Sequence, residues 1–166
     1  MIKKIVFMTG TRADFGKLSS LIDTIEKTDG FECHIFVTGM HTLEKYGSTF
    51  DEVEKKGYKN ITIFHNQTDT NQQDIILAKT ITGFSKFIKQ ISPDMIIVHG
   101  DRIETLAGAI VGSLNNILVS HIEGGEISGT VDELIRHAVT KLSHIHFAAN
   151  NDAKQRLIQL GESKNS

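Results

Sequence analysis

The chain alternates short runs of consecutive apolar residues with longer segments whose apolar residues recur every three or four positions. The runs are typical of buried strands, and the periodic segments are typical of helices with one apolar face. The runs predict strands near residues 5–8, 35–37, 61–64, 95–98, 117–119 and 145–149. The periodic segments predict helices near residues 18–25, 77–88, 103–114, 131–142 and 152–160.

Strands that alternate with helices indicate a doubly wound α/β domain, in which helices cover both faces of a parallel sheet. With 166 residues, the chain is long enough for one well-buried core and too short for two ordinary domains. We therefore predict a single Rossmann-like domain over residues 1–166. Such a domain binds ligands in the crevice outside the carboxyl ends of its strands, and a partner domain often closes that crevice.

Composition and charge exclude several classes of function. A formal net charge of −2 gives no long-range attraction for nucleic acid or for an anionic membrane. The apolar runs are too short for a membrane span, and the first is too short for a signal peptide. The single cysteine, Cys33, cannot form an internal disulfide, which fits a reducing compartment. We expect a soluble, cytoplasmic protein that binds neither nucleic acid nor membranes.

Charged residues follow three of the predicted strands. The first strand leads into the glycine-bounded turn Gly10–Gly16, the fourth into His99–Arg102, and the fifth into His121–Glu126. In a parallel sheet these three strand ends lie on the same edge. Because a buried core does not need charged residues there, their convergence is the strongest physical sign of a site.

The first turn supports two interpretations. Its glycine spacing departs from the dinucleotide-binding pattern, and it contains Arg12. An arginine beside a helix N-terminus suits a diphosphate better than a nicotinamide cofactor. The alternative is an ordinary strand-to-helix turn with a surface ion pair between Arg12 and Asp14.

Asp101 also has a structural alternative. Asp101 and Glu104 form an Asp-x-x-Glu pattern that can cap the following helix. His99 and Arg102 stand beside Asp101, however, and capping does not need them. Their presence favours a functional interpretation of this strand end.

Glu123 ends an apolar strand and precedes two glycines, which allow a ligand to approach the backbone closely. Strand alternation places His121 and Glu123 on the same face. His99, Asp101, His121 and Glu123 could in principle surround a divalent ion. They come singly from different strands, without a close ligand motif, so we interpret the site as free of metal.

The helix after the fifth strand separates two roles. Thr130 and Glu133 have the spacing of a capping box, in which Glu133 reaches back to the cap. That assignment leaves Asp132 as the carboxylate available for chemistry. Arg136 lies four residues further along the same helix face, so an ordinary ion pair between Asp132 and Arg136 is the alternative.

Five segments together resemble a known family, the hydrolysing UDP-N-acetylglucosamine 2-epimerases. They are Gly10–Asp14, Pro93–Arg102, His121–Glu126, Ser128–Asp132 and Ile135–His137. The similarity runs from the first strand to about the last helix. The segment from His121 to His137 is the most specific and resembles the sialic-acid-type, hydrolysing branch of the family.

The resemblance implies a two-step reaction without a redox cofactor. UDP leaves C1 while the C2 proton is lost, which gives 2-acetamidoglucal, and water then adds to give N-acetylmannosamine. By similarity, Asp101, Glu123 and Asp132 match the essential acidic positions of the family. We assign Asp101 and Glu123 to proton transfer around C2, and Asp132 to acid–base support of the leaving group or the water.

The resemblance also implies how the substrate, a UDP-amino sugar, is held. Arg12 and Arg102 match positions expected to meet the diphosphate, and Arg136 is expected to orient Asp132 or the substrate. Gly16, which ends the first turn, completes the predicted substrate-binding set. No cofactor and no metal are expected.

Family members have a second Rossmann-like domain that supplies much of the uridine and phosphate site. The resemblance therefore implies the first half of a two-domain enzyme of the glycosyltransferase-B type, incomplete without the second. By analogy we expect a homo-oligomer, a dimer or a tetramer. The alternatives are a non-catalytic nucleotide-binding or oligomerisation module, an epimerase for UDP-2,4-diacetamido-trideoxy sugars, and a metal-dependent hydrolase.

Overall fold

The apolar runs form the strands of one parallel sheet in a computed structural model, which describes residues 2–68 and 72–166. Its strands are β1 (Lys3–Thr9), β2 (Phe31–Val37), β3 (Ile61–Ile63), β4 (Met95–His99), β5 (Leu118–Ile122) and β6 (Ile145–Phe147). Their order in the sheet is β3-β2-β1-β4-β5-β6, and every neighbouring pair is parallel. The predicted parallel sheet is confirmed.

Helices cover both faces of this sheet. They are α1 (Arg12–Glu26), α2 (Phe50–Glu54), α3 (Gln73–Ile91), α4 (Ile103–Leu114), α5 (Val131–Lys141) and α6 (Asn151–Gln159). Buried apolar side chains of α1 and α2 pack on one face, and those of α3, α4 and α5 pack on the other. Two separate apolar clusters result, one on each side, as the doubly wound fold requires.

Two parts of the chain differ from the prediction. The first helix begins at Arg12, so most of the predicted turn Gly10–Gly16 is helical. The reason is a capping box in which Thr11 and Asp14 satisfy each other's backbone N–H groups. Two short 3₁₀ turns and α2, between residues 39 and 54, were not predicted, because elements this short show no apolar period.

The order of the strands places a switch point between β1 and β4. From β1 the chain moves outward through β2 and β3 to one edge, whereas β4, β5 and β6 extend to the other. Loops after β1 and β4 therefore diverge and leave a crevice at the carboxyl ends of these strands. Within the two described ranges, no helix is long and apolar enough to cross a membrane.

Candidate active site

The loop after β1 is built around Asp14. Its carboxylate accepts hydrogen bonds from Thr9 Oγ1 at 2.5 Å, from Gly10 N at 3.0 Å and from Thr11 N at 3.1 Å. Thr9 Oγ1 also lies 3.0 Å from Nε2 of His41, which is fully buried. Asp14 is itself buried, so its carboxylate is committed to holding this loop in place.

Arg12 does not pair with Asp14, so the alternative interpretation of the turn, a surface ion pair between them, is wrong. Nε of Arg12 lies 3.0 Å from Oε2 of Glu52 on α2, and 74% of the arginine side chain is exposed. The capping box turns Asp14 inward, so its carboxylate does not form an ion pair at the surface. Gly16 lies on the exposed side of α1, where an added Cβ would meet no atom within 4 Å.

Glu123 follows β5 with a left-handed backbone, φ +62°. Both of its carboxylate oxygens lie 2.7 Å from Nζ of Lys17 on α1. Nε2 of His99, at the end of β4, lies 3.2 Å from Oε2 in an ion-pair geometry. A left-handed conformation is costly for glutamate, and here it aims the side chain at α1.

The prediction that His121 and Glu123 share a strand face is therefore wrong. His121 is fully buried and faces α5, with Nε2 2.7 Å from the carbonyl oxygen of Gly100 and Nδ1 3.4 Å from Thr140 Oγ1. Strand alternation stops at Ile122, because Glu123 adopts the left-handed conformation.

The surroundings of Glu123 stabilise its charged form. Burial by itself raises the pKa of Glu123, but the hydrogen bonds from Lys17 and the positive charges of Lys17 and His99 outweigh burial. The net result is a pKa below the ordinary value for glutamate. Glu123 is consequently an ionised carboxylate near neutral pH.

Asp101 pairs with Arg136, although 35 residues separate them along the chain. NH1 of Arg136 also donates to the carbonyl oxygen of Glu126 at 3.0 Å, and the arginine side chain is only 11% exposed. The alternative interpretation of α5, an ion pair between Asp132 and Arg136, is therefore wrong. Arg136 instead joins the carboxylate after β4 to the loop after β5.

Asp101 does not cap α4 either. The cap position is occupied by Arg102, without a side-chain hydrogen bond. Glu104, the other half of the predicted pattern, points inward and is 6% exposed. Burial raises the pKa of Glu104, and its Oε1 lies 3.4 Å from Nδ2 of Asn66.

The sequence offered a capping role for Glu104 but not the packing role that it has in the structure. Glu104 fills the space between the loops after β1 and β2: a Cβ added to Gly39 would lie 2.7 Å from its Oε1, and one added to Gly10 would lie 3.1 Å from its Cγ. Only glycine fits at Gly39, which also has a φ of +63°. The sequence carries no signal for this packing, because it depends on tertiary contacts.

The cap of α5 differs from the predicted box. Thr130 Oγ1 accepts from Asp132 N at 3.3 Å, and Glu133 reaches past Thr130 to accept from the N–H groups of Ser128 and Gly129 at 2.8 Å. These bonds lower the pKa of Glu133. The structural role predicted for Glu133 is confirmed. Its predicted partner, the backbone N–H of Thr130, is replaced by those of Ser128 and Gly129.

A cleft of about 260 Å³ brings four of the predicted residues together: Asp101, Arg102, Glu123 and Arg136. Lys17 and His99 line the same cleft. Lys17 was not predicted, because its position depends on the direction in which α1 crosses the sheet. Besides Asp14, which is held by its own loop, the cleft combines the carboxylates of Asp101 and Glu123 with an imidazole and several cations. This set suits proton transfer beside an anionic leaving group.

Asp132 lies in a neighbouring cleft, also of about 260 Å³, together with Met40 and Tyr46. Arg102 lines both clefts and donates to the sulfur of Met40 at 2.8 Å. Arg12 and Gly16 line neither of these clefts. The structure thus gathers two of the three predicted carboxylates and leaves the third on the far side of Arg102.

A further cleft lies outside the crevice. This larger cleft of about 520 Å³ runs between β6, α6 and the last residues, lined by His146, Phe147 and Glu162 among others. It contains none of the predicted site residues.

Among residues 2–68 and 72–166, the structure shows no group of three or more His, Cys, Asp or Glu side chains placed to hold a metal ion.

An open parallel sheet with carboxylates and cations at its switch point defines the chain as an α/β protein of the ligand-binding, doubly wound class. The family model described as UDP-N-acetylglucosamine 2-epimerase matches residues 23–166. The chain therefore belongs to the UDP-N-acetylglucosamine 2-epimerase family, as the resemblance predicted.

Curated relatives agree with this membership. The UDP-N-acetylglucosamine 2-epimerase of Neisseria meningitidis serogroup B is 50% identical over 98% of the chain, which covers 43% of that protein. The hydrolysing UDP-N,N'-diacetylbacillosamine 2-epimerase of Legionella pneumophila is 41% identical over 99% of the chain, which covers 44% of that protein. The chain thus spans less than half the length of these relatives.

Solved structures share the fold. The UDP-N-acetylglucosamine 2-epimerase of Methanocaldococcus jannaschii superimposes with a TM-score of 0.84 at 28% identity, over 98% of this chain and 44% of that one. A lipopolysaccharide outer core galactosyltransferase, in its apo form, superimposes over 98% of this chain and 43% of its own with a TM-score of 0.66 at 17% identity. That likeness concerns the fold alone.

Proposed function

We propose that this chain is the first half of a hydrolysing UDP-N-acetylglucosamine 2-epimerase, which converts UDP-N-acetylglucosamine to N-acetylmannosamine and UDP. The observation that carries the proposal is the cleft at the switch point. An ionised Glu123 and an Asp101 that is paired with Arg136 line this cleft together. Lys17 and Arg102 line it as well. Membership of the epimerase family gives this arrangement its reaction class.

In this proposal Glu123 and Asp101 move protons around C2 of the sugar. Glu123 is ionised and can accept a proton, while its left-handed backbone fixes the direction of its carboxylate. Arg136 fixes Asp101 through a nearly buried ion pair. Arg136 therefore acts as a positioning residue for Asp101, whereas the resemblance implied that it orients Asp132 or the substrate.

The cations are assigned to the departing diphosphate. Arg102 lies at the start of α4 and lines both clefts, so a diphosphate bound there would reach from one cleft to the other. Charge-assisted hydrogen bonds from such a guanidinium stabilise the negative charge that develops as UDP leaves. Asp132 would then serve at the leaving-group side, and Arg12 and Gly16 at the outer rim.

The uridine-binding residues, in this proposal, belong to the part of the relatives that this chain does not cover. The chain matches 43% of the Neisseria protein and 44% of the Legionella protein. We further propose a cytoplasmic enzyme that works as a homo-oligomer and needs no cofactor.

Proton and phosphorus NMR of UDP-N-acetylglucosamine in deuterated water tests the reaction directly. The proposal expects UDP and N-acetylmannosamine with deuterium at C2, because a proton removed by Glu123 or Asp101 is replaced from solvent. The test uses this chain alone and this chain extended by the remaining sequence of a relative. Absence of both products with the extended protein would contradict the proposal.

A second sugar is a specific alternative, because the relative from Legionella pneumophila is named as a hydrolysing UDP-N,N'-diacetylbacillosamine 2-epimerase. In that case the same cleft would act on a UDP-2,4-diacetamido-trideoxy sugar. The same NMR assay with both substrates separates the two: the preferred sugar is the one with the larger kcat/KM. Binding of UDP without turnover of either sugar would favour a non-catalytic module.

A further inference from the structure

Lys17 is a cation of the cleft whose partner is exchangeable. Lys17 Nζ bonds both oxygens of Glu123 at 2.7 Å, yet 55% of the lysine side chain is exposed. Arg136, by contrast, is 11% exposed and is bonded to Asp101 and to the Glu126 carbonyl. An exposed ammonium on a flexible four-carbon chain can change partners at little cost, whereas a nearly buried guanidinium cannot.

The charges around Glu123 explain what Lys17 does there. Lys17 reaches it from α1 and His99 from β4, while Asp101 and Arg136 line the same cleft and neutralise each other. Asp14 and Arg102 also line the cleft, but Asp14 is bonded within the loop after β1 and Arg102 donates to Met40. Lys17 is therefore the exposed cation that bonds Glu123 in the part of the cleft that the structure describes. A carboxylate clamped by an ammonium is a poor base, because the ammonium stabilises the charged form.

A diphosphate at this site needs cationic partners. Arg102 supplies one, and Arg12 is engaged with Glu52 outside the cleft. The diphosphate as a whole carries more negative charge than a single carboxylate and attracts an ammonium strongly. We infer that Lys17 is a positioning residue that holds the Glu123 carboxylate and exchanges onto the diphosphate of the substrate, which frees Glu123 to act as the base at C2.

This inference rests on the proposed function and deepens it. Substrate binding and activation of the base become one event, because the same ammonium cannot serve both partners. Lys17 would then leave Glu123 when the diphosphate arrives and would return once UDP has dissociated. Glu123 would be a strong base only while the leaving group is in place.

Carbon-detected NMR titration of the Glu123 carboxyl group tests the exchange in this chain extended by the remaining sequence of a relative, so that the uridine-binding residues are present. The titration is carried out with and without UDP, on the wild type, on Lys17→Met and on Lys79→Met. Lys79 is an exposed lysine of α3 outside the cleft, so its variant controls for the loss of one positive charge. Lys17→Arg keeps the charge and tests for rescue.

We expect Lys17→Met to raise the pKa of Glu123 without UDP, while Lys79→Met and Lys17→Arg leave it close to the wild-type value. We expect UDP to raise the pKa of Glu123 more in the wild type than in Lys17→Met, where only direct repulsion by the diphosphate remains. Loss of the lysine should weaken UDP binding by about tenfold, the loss of one charge-assisted hydrogen bond.

Two outcomes would overturn the exchange and leave the proposed function standing. One is an unchanged Glu123 titration in Lys17→Met whose amide spectrum shows an intact fold. The other is UDP binding that raises the pKa of Glu123 equally in the wild type and in Lys17→Met. Absence of any UDP-dependent shift in the extended wild-type protein would overturn the exchange and also count against a nucleotide site here.

Discussion

The loops after β1 and β5 each present a carboxylate at the same edge of the sheet, but they satisfy it in opposite ways. Asp14 receives its hydrogen bonds from two backbone N–H groups and from the hydroxyl of Thr9, and it is buried. Glu123 receives its bonds from the side chain of Lys17 and lies beside His99. The carboxylate of Asp14 cannot leave its hydrogen-bond donors unless the loop opens. The carboxylate of Glu123 can exchange its partner while its loop stays folded.

The difference teaches how to separate structural from chemical carboxylates. A carboxylate bonded by backbone groups helps to fold the chain, because those donors have no other acceptor nearby. A carboxylate bonded by an exposed side chain keeps its charge and can change partners. By this criterion Asp14 and Glu133 are structural, and Glu123 is the candidate base.

The largest expected effect comes from Glu123→Gln. The substitution keeps the shape of the side chain and removes the base, so turnover should fall by roughly 10²–10⁴-fold. The C2 deuterium-exchange assay measures the loss in the form of the protein that turns over. Glu54→Gln, on the exposed side of α2, is the matched control and should retain activity. Near-normal turnover in Glu123→Gln would remove it from the mechanism.

The dependence of stability on pH tests whether His121, whose Nε2 bonds the carbonyl oxygen of Gly100, is also a structural residue. Burial lowers its pKa from 6.5 to about 4. Between these values the unfolded chain binds the proton more readily, so stability should be complete near pH 7 and decrease as the pH falls from about 6.5 to about 4. The full loss amounts to about 3 kcal/mol.

Urea unfolding at pH 7, 6, 5 and 4 measures this dependence. The variant His121→Gln should be less stable at pH 7 and should show a flatter profile over the same range. A wild-type profile that runs parallel to that of the variant would show that His121 does not govern stability there.

Asp14→Ala tests the other side of the comparison. The variant loses the capping box of α1 and leaves Thr9 and Gly10 without their acceptor, which should cost about 2–3 kcal/mol of unfolding free energy. Glu133→Ala removes an acceptor of two backbone N–H groups in an exposed loop and should cost less than about 1 kcal/mol. If both variants lost the same unfolding free energy, burial would not distinguish the contribution of Asp14 from that of Glu133.

The smallest effect is expected from Gly16→Ala. Gly16 lies within α1, and an added Cβ meets nothing within 4 Å, so alanine should stabilise the helix by about 0.5–1 kcal/mol. If Gly16 also approaches the substrate, as the resemblance implies, the same variant should bind UDP more weakly. Higher stability with unchanged UDP binding would restrict Gly16 to the fold.

Much of the fold could be predicted from the chain, because the helices, the strands and their alternation follow from local apolar patterns. The convergence of Asp101 and Glu123 also followed, since both end parallel strands of one sheet. The partners of these carboxylates did not. Lys17 and Arg136 lie on helices, and their reach depends on how each helix crosses the sheet.

Two other errors have physical causes of the same kind. The shared face of His121 and Glu123 assumed that strand alternation continues, but the left-handed backbone at Glu123 ends it. The structural alternative for Asp101, an Asp-x-x-Glu cap with Glu104, does not form, because Glu104 is buried against Gly10 and Gly39. Sequence spacing identifies the residue types at the site, and tertiary packing decides their partners.

The contact between Lys17 and Glu123 joins residues 106 positions apart along the chain. During synthesis at roughly 5–20 residues per second, Lys17 emerges roughly 5–20 s before its partner. The first loop can fold around Asp14 in that interval, since its bonds are local, whereas the ammonium stays in water. A nascent chain arrested before β5 should therefore protect the amides of the first loop and lack the site, so the Lys17 ammonium signal reports completion of the domain.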